Sequence, residues 1–140
     1  MTDALSIGWT RAQTATERTV YRRLLGWDLA IRTLVGLLAL IVPVWLAHQA
    51  DLPAMPSPGW VRLWGVLLLI TVVLYLPGWI EPVQARWPNM AGIVARFVLA
   101  VVYVCLGRGF RWFALYEVAF AVALAWSYSR LLRAALMARP

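Results

Sequence analysis

The chain has 140 residues, of which 63% are hydrophobic and only 14% charged, against roughly 25% charged in a soluble domain. All 13 basic residues are arginine, the acidic residues number 6, and the formal net charge is +7. So few polar side chains cannot cover a surface in water, which excludes an ordinary cytosolic domain and a disordered or nucleic-acid-binding tail. A disulfide framework is excluded as well, because Cys105 is the single cysteine. An integral membrane protein remains, whose first partner is the lipid bilayer, with no nucleic-acid partner.

Residues 1–28 form an N-terminal segment ahead of the first apolar run. Within it, Thr10–Trp27 is expected to be a helix lying on the membrane surface. Thr10-Arg-Ala-Gln13 fits a capping box, in which side chains satisfy the first free backbone donors. Arg11, Arg18 and Arg22 share one helical face, while Trp9, Ala12, Val20, Leu24 and Trp27 lean the other way. Such a face suits anionic headgroups. The plainer reading makes these arginines only the topology signal of the first span, and a docking surface for a partner protein is the third.

Spanning the hydrocarbon core takes about 20 predominantly apolar residues. Four segments qualify: Leu29–Ala47, Val61–Trp79, Met90–Gly107 and Trp112–Ser129. In lipid the backbone must bond to itself, and the runs lack period-2 alternation, so each is expected to be a helix rather than a barrel strand. Pro43 should kink the first, since it removes a backbone donor. That first run is too long for the core of a signal peptide, and Ala47-His48-Gln49-Ala50 is a poor cleavage site, so it is expected to stay attached. Of the connections, His48–Gly59 is stiffened by Pro53, Pro56 and Pro58, Pro77–Asn89 is again rich in proline, and Arg108–Arg111 is tight enough to force an antiparallel hairpin. Residues 130–140 make a basic tail.

Every tryptophan but Trp9 falls near a predicted span end, where its amphipathic ring prefers to sit. Orientation follows from arginine. With both termini cytoplasmic, the inner side holds Arg11, Arg18, Arg22, Arg23, Arg86, Arg130, Arg133 and Arg139, and the outer side only Arg62, Arg108 and Arg111. The expected fold class is all-α: an integral membrane four-helix bundle preceded by an amphipathic N-terminal surface helix. The location is a multi-pass position in a bacterial-type cytoplasmic (inner) membrane.

Ionisable residues inside spans are costly and mark candidate functional sites. Glu117 lies deepest, on a helix face shared with Ala121, Ala125 and Ser129, small residues that would form a helix-packing seam. Depth counting pairs it with Tyr103, and with Arg62 as a counter-ion further out. A structural polar clasp is the favoured reading, ahead of proton or ligand handling and of a subunit contact. A second group lies nearer the inner side. Asp28 and Arg32 stand in the favourable i, i+4 order, and Tyr75 and Arg96 fall at similar depth. Two guanidiniums and a phenol at one level would grip an anionic headgroup or a quinone carbonyl, although snorkelling of both arginines to the interface explains them more simply. His48 is the only histidine, and no catalytic triad, metal-ligand cluster, phosphate loop or cysteine pair is present. No catalytic, cofactor or metal residues are therefore assigned, although a bound lipid or quinone would fit.

Arg32-x-x-x-Gly36 at the start of the first span, together with four helices ending in a tight hairpin over residues 24–133, resembles the DoxX-like membrane proteins. The resemblance implies a small subunit associated with quinone-linked oxidoreductases, and it carries over only Arg32 and Gly36. The further glycines and polar residues of the family's first span are absent here. The leading functional expectation is a non-catalytic accessory or assembly subunit of a larger, redox-type membrane complex, with other membrane subunits or a second copy as partner. The alternative is a small carrier or binding protein for a lipid, quinone or other amphipathic molecule.

Overall fold

The structure, a computed structural model, describes residues 2–52 and 57–138, with side chains from residue 11 onward. It is an all-α bundle: α1 (Thr2–Ile41), α2 (Pro43–Gln49), α3 (Pro58–Ile80), α4 (Arg86–Cys105) and α5 (Arg111–Met137), with one 3₁₀ turn at Arg108–Phe110. Four of these helical stretches are long and apolar enough to cross a membrane. Exposed aliphatic side chains cover their outer faces, among them Leu34, Val73, Val94, Val101 and Val122. The protein is a multi-pass membrane protein in contact with lipid.

The N-terminal segment is helical as expected, but nothing separates it from the first span. Because α1 runs unbroken through Thr10, the Thr10–Gln13 sequence caps no helix. At 1.5 Å per residue this helix is about 60 Å long, twice the hydrocarbon thickness. Its buried stripe is Glu17, Tyr21, Leu25, Asp28, Arg32, Gly36 and Ala39. Steps of four and three residues stay close to the helical repeat, so one face remains on the bundle throughout. Val20 and Trp27, expected to lie against the membrane together with Leu24, are 40% and 70% exposed and point away from that bundle face. The N-terminal half packs against the C-terminal half of α5. Tyr21 packs on Tyr128 with ring centroids 5.2 Å apart, and Arg130 donates to Glu17 at 2.6 Å. Arg18 reaches Glu81 at the end of α3, at 2.7 Å.

Pro43 does interrupt the first span. Val42 leaves helical geometry (φ −129°, ψ 58°), and Pro43 starts α2 at a position where its missing N–H costs nothing. Pro58 opens α3 in the same way. Pro53 and Pro56 lie outside the described residues. Pro77, expected in a loop, sits inside α3, and Pro88 sits in the first turn of α4. The true connection is therefore short, and Asn89 ties it down. Its buried amide donates to the carbonyls of Pro82 (3.1 Å) and Gly78 (3.4 Å). Asn89→Ala should cost about 1–3 kcal/mol, the penalty for stranding buried carbonyls, read from unfolding in mixed micelles. The last hairpin turns at Gly107, whose φ of +103° suits glycine.

The interior is layered along the bundle axis. On the side of the termini, Tyr21, Leu25, Leu29, Leu124, Tyr128 and Leu131 form the apolar core. A charged layer follows, and beyond it an aromatic one.

Candidate functional site

The charged layer joins α1, α4 and α5. Asp28 and Arg32 come from α1, one turn apart, Arg96 from α4 and Glu117 from α5. All four are buried, at 0%, 3%, 1% and 2% exposure respectively. Arg96 grips Asp28 with both terminal nitrogens, at 2.7 and 2.5 Å. Arg32 donates through Nε to Asp28 at 3.2 Å and through Nη2 to Glu117 at 2.7 and 2.5 Å. Arg96 Nη1 also approaches Glu117, at 3.5 Å. Two positive and two negative charges close on themselves, so the layer is neutral as a whole. That neutrality, with the charge-assisted bonds, offsets desolvation that no single buried ion could bear.

Two tyrosines complete the layer. Tyr116 donates its hydroxyl to Asp28 at 2.6 Å, and its ring lies 5.7 Å from the Arg32 guanidinium. Tyr75 presents its ring to Arg96 at 5.3 Å, while its hydroxyl points at the Gly92 carbonyl, 3.5 Å away. The tight α3–α4 approach depends on Gly92, where a Cβ would stand 2.6 Å from the Tyr75 ring.

Of the two groups expected from the sequence, Glu117 of the first joins the second. Glu117 bonds to Arg32 and approaches Arg96, Tyr103 lines the same cavity as Glu117 without a hydrogen bond to it, and Arg62 lies apart. Tyr103 lies in the next layer, accepting from Trp64 Nε1 at 3.2 Å. Arg62 is exposed and borders a different groove, with Trp45 and His48. Depth counting ignored direction. Val61, Gly65 and Leu68 face inward on α3, and Arg62 is turned about 100° from Val61. Nor do the two arginines snorkel, because carboxylates hold them in the interior.

The packing seam is corrected too. Ala121 is fully buried, but Ala125 is half-buried and Ser129 bonds back to the Trp126 carbonyl on an exposed flank. A strict four-residue step drifts about 40° each time. The real stripe alternates threes and fours: Ala114, Glu117, Ala121, Leu124, Tyr128, Leu131. Tyr116 and Trp64 were not anticipated as partners. The available signal was charge balance, since Asp28, Arg32, Arg96 and Glu117 are two acids and two bases in or beside the spans, and pairing them all leaves no net charge.

Beyond the charged layer lies a half-open cavity of about 190 Å³, walled by Ile31, Val35, Trp64, Leu68, Phe113 and Tyr116, with Arg32 and Glu117 at its floor. Trp64, Tyr103 and Phe113 also border a wider apolar chamber of about 470 Å³ that includes Trp60, Leu106 and Phe110. Arg32 spends Nε and Nη2 on carboxylates, leaving Nη1 without an acceptor among the described residues. The Tyr103 hydroxyl accepts from Trp64 and keeps its own proton to offer. The arrangement can therefore hold a molecule with an apolar body and an acceptor oxygen at one end. Among the described residues no group of His, Cys, Asp and Glu is placed to hold a metal ion, and Cys105 is exposed on the outer face of α4. No family model matches this chain, and no curated protein or solved structure matches it either.

Proposed function

We propose that this is a small non-catalytic membrane protein that binds an amphipathic molecule, of the lipid or quinone class, in the aromatic cavity above the charged layer. The observation that carries this reading is the floor of that cavity: a buried arginine with one nitrogen unclaimed, beneath walls of tryptophan, phenylalanine and tyrosine. Since Arg32 is already balanced by two carboxylates, a neutral carbonyl suits the site better than an added anion beside Glu117. The arginine distribution supports an inner-membrane orientation with both termini cytoplasmic.

Membership of a larger membrane complex, of DoxX-like type or otherwise, would use exposed faces such as Val94, Val98 and Val101. Lipid covers those faces equally well, so they favour that reading less. The test is native mass spectrometry of the purified protein with a decyl-benzoquinone and a diacylglycerol as probes. At least one probe should bind, and Val35→Phe, which fills the cavity, should weaken it roughly tenfold, about 1.4 kcal/mol. Equal binding by Val35→Phe, or no adduct with either probe, would overturn the proposal. A stable protein partner retained through gentle extraction would favour the accessory reading instead.

A further inference from the structure

A second groove, of about 460 Å³, lies at the other end of the bundle, on the surface between α1 and the end of α3. Thr19, Arg22 and Arg23, then Gly26, Trp27 and Ala30 further along α1, line it together with Trp79 of α3. It is independent of the aromatic cavity and shares no residue with it.

Three observations bear on its occupant. The first is unbalanced charge. Neighbouring Arg18 and Arg130 are each paired with a glutamate, at 2.7 and 2.6 Å, whereas Arg22 and Arg23 have no carboxylate partner among the described residues. The second is preorganisation. The Arg22 guanidinium is laid over the Trp79 ring, 5.0 Å from its centroid, and Trp79 Nε1 donates to the Arg22 carbonyl at 2.9 Å. Gly26 allows this closeness, since a Cβ there would lie 3.2 Å from Trp79 Nε1. The third is the order of polarity. From Thr19 to Ala30 the wall runs from hydroxyl and guanidinium to bare backbone and indole over about 16 Å. Headgroup followed by upper acyl chain has the same order and a similar span.

We propose that this groove binds one anionic glycerophospholipid from the leaflet on the side of the chain termini. The phosphate sits between Arg22 and Arg23, where guanidinium forks match its oxygens. The start of an acyl chain lies along Gly26 and Ala30, between the indoles of Trp27 and Trp79. A zwitterionic lipid brings its own ammonium and neutralises the two arginines less well, so the site discriminates by headgroup charge.

The test uses the full-length protein in mild detergent and native mass spectrometry with equal amounts of phosphatidylglycerol and phosphatidylcholine. Wild type should retain phosphatidylglycerol in preference by roughly tenfold or more. Arg22→Gln/Arg23→Gln should erase the preference. Ala30→Trp keeps both charges but fills the chain end, and it should lower phosphatidylglycerol occupancy too, which keeps the test decisive should the double variant fail to fold. Arg11→Gln/Arg133→Gln removes the same charge from exposed positions elsewhere and should leave the preference intact. The proposal is overturned by equal retention of the two lipids in wild type, or by an equal loss in that control pair. Displacement of phosphatidylglycerol by millimolar inorganic phosphate would also overturn it, because a tail-less anion cannot use the indole-lined end.

Discussion

Asp28→Ala is expected to be the most damaging single substitution in the spans, lowering stability by about 3–5 kcal/mol. Asp28 is the hub of the charged layer, accepting from Arg32, from both terminal nitrogens of Arg96 and from Tyr116. Without it the one carboxylate near Arg96 is Glu117, at 3.5 Å, and the buried layer carries a net positive charge. The loss should be read from equilibrium unfolding in mixed micelles of mild detergent and SDS. Removing charge in pairs should behave differently. Asp28→Leu with Arg96→Met and Tyr116→Phe leaves Arg32 and Glu117 as a balanced pair and orphans no hydroxyl. That triple variant should regain at least half of the loss, because buried ion pairs exchanged for apolar residues of similar volume are often close to neutral. If its destabilisation instead equals the sum of the single variants, the four charges are not one network.

The second large effect is expected at Gly65, where α1 and α3 meet backbone to backbone. A Cβ on Gly65 would stand 2.7 Å from the Ala39 Cβ and 2.8 Å from the Gly36 carbonyl oxygen. Neither neighbour is the far end of a flexible side chain, so the helices themselves must move. Gly65→Val should cost about 1–3 kcal/mol from overpacking, and Gly65→Ala less, with the same sign. Gly59→Ala is the control. Its Cβ would meet only Ser57 Oγ at 3.4 Å, and it should change little. Equal stability of Gly65→Val and wild type would show that the α1–α3 contact is looser than this geometry. The contact also explains Gly36 without any ligand, since a Cβ there would press on the Gly65 carbonyl oxygen at 3.1 Å.

Hydropathy located all four spans and placed the ends of the second and third to within several residues, and the reason is solvent. Twenty apolar residues in a row have few folds open to them once lipid replaces water. Proline was legible where its own backbone decides the outcome, as in the break before Pro43. It misled at Pro77, which α3 accommodates within its last turns. The long α1 was misread for a related reason. The faces expected for a surface helix left out Tyr21 and Leu25, which the C-terminal half of α5 buries.

The candidate site was legible as a set of residues but not as a constellation. Cost alone singled out Asp28, Arg32, Arg96 and Glu117, because an ionisable group inside a span must have a reason to be there. Which of them touch depends on helix rotation, and depth counting carries no information about rotation. Glu117 was therefore paired with Tyr103, with Arg62 as counter-ion, whereas the Arg62 side chain points outward, and Tyr116 went unnoticed although it supplies a 2.6 Å hydrogen bond. The sequence by itself determined the solvent, the four helices and which charged residues lie in or beside the spans, all set by local composition and the cost of burying polar groups. Only the tertiary structure decided that those charges close into one neutral layer, and that aromatic side chains leave a cavity above it. Both depend on the angle at which each helix faces its neighbours, and packing between distant segments fixes that angle.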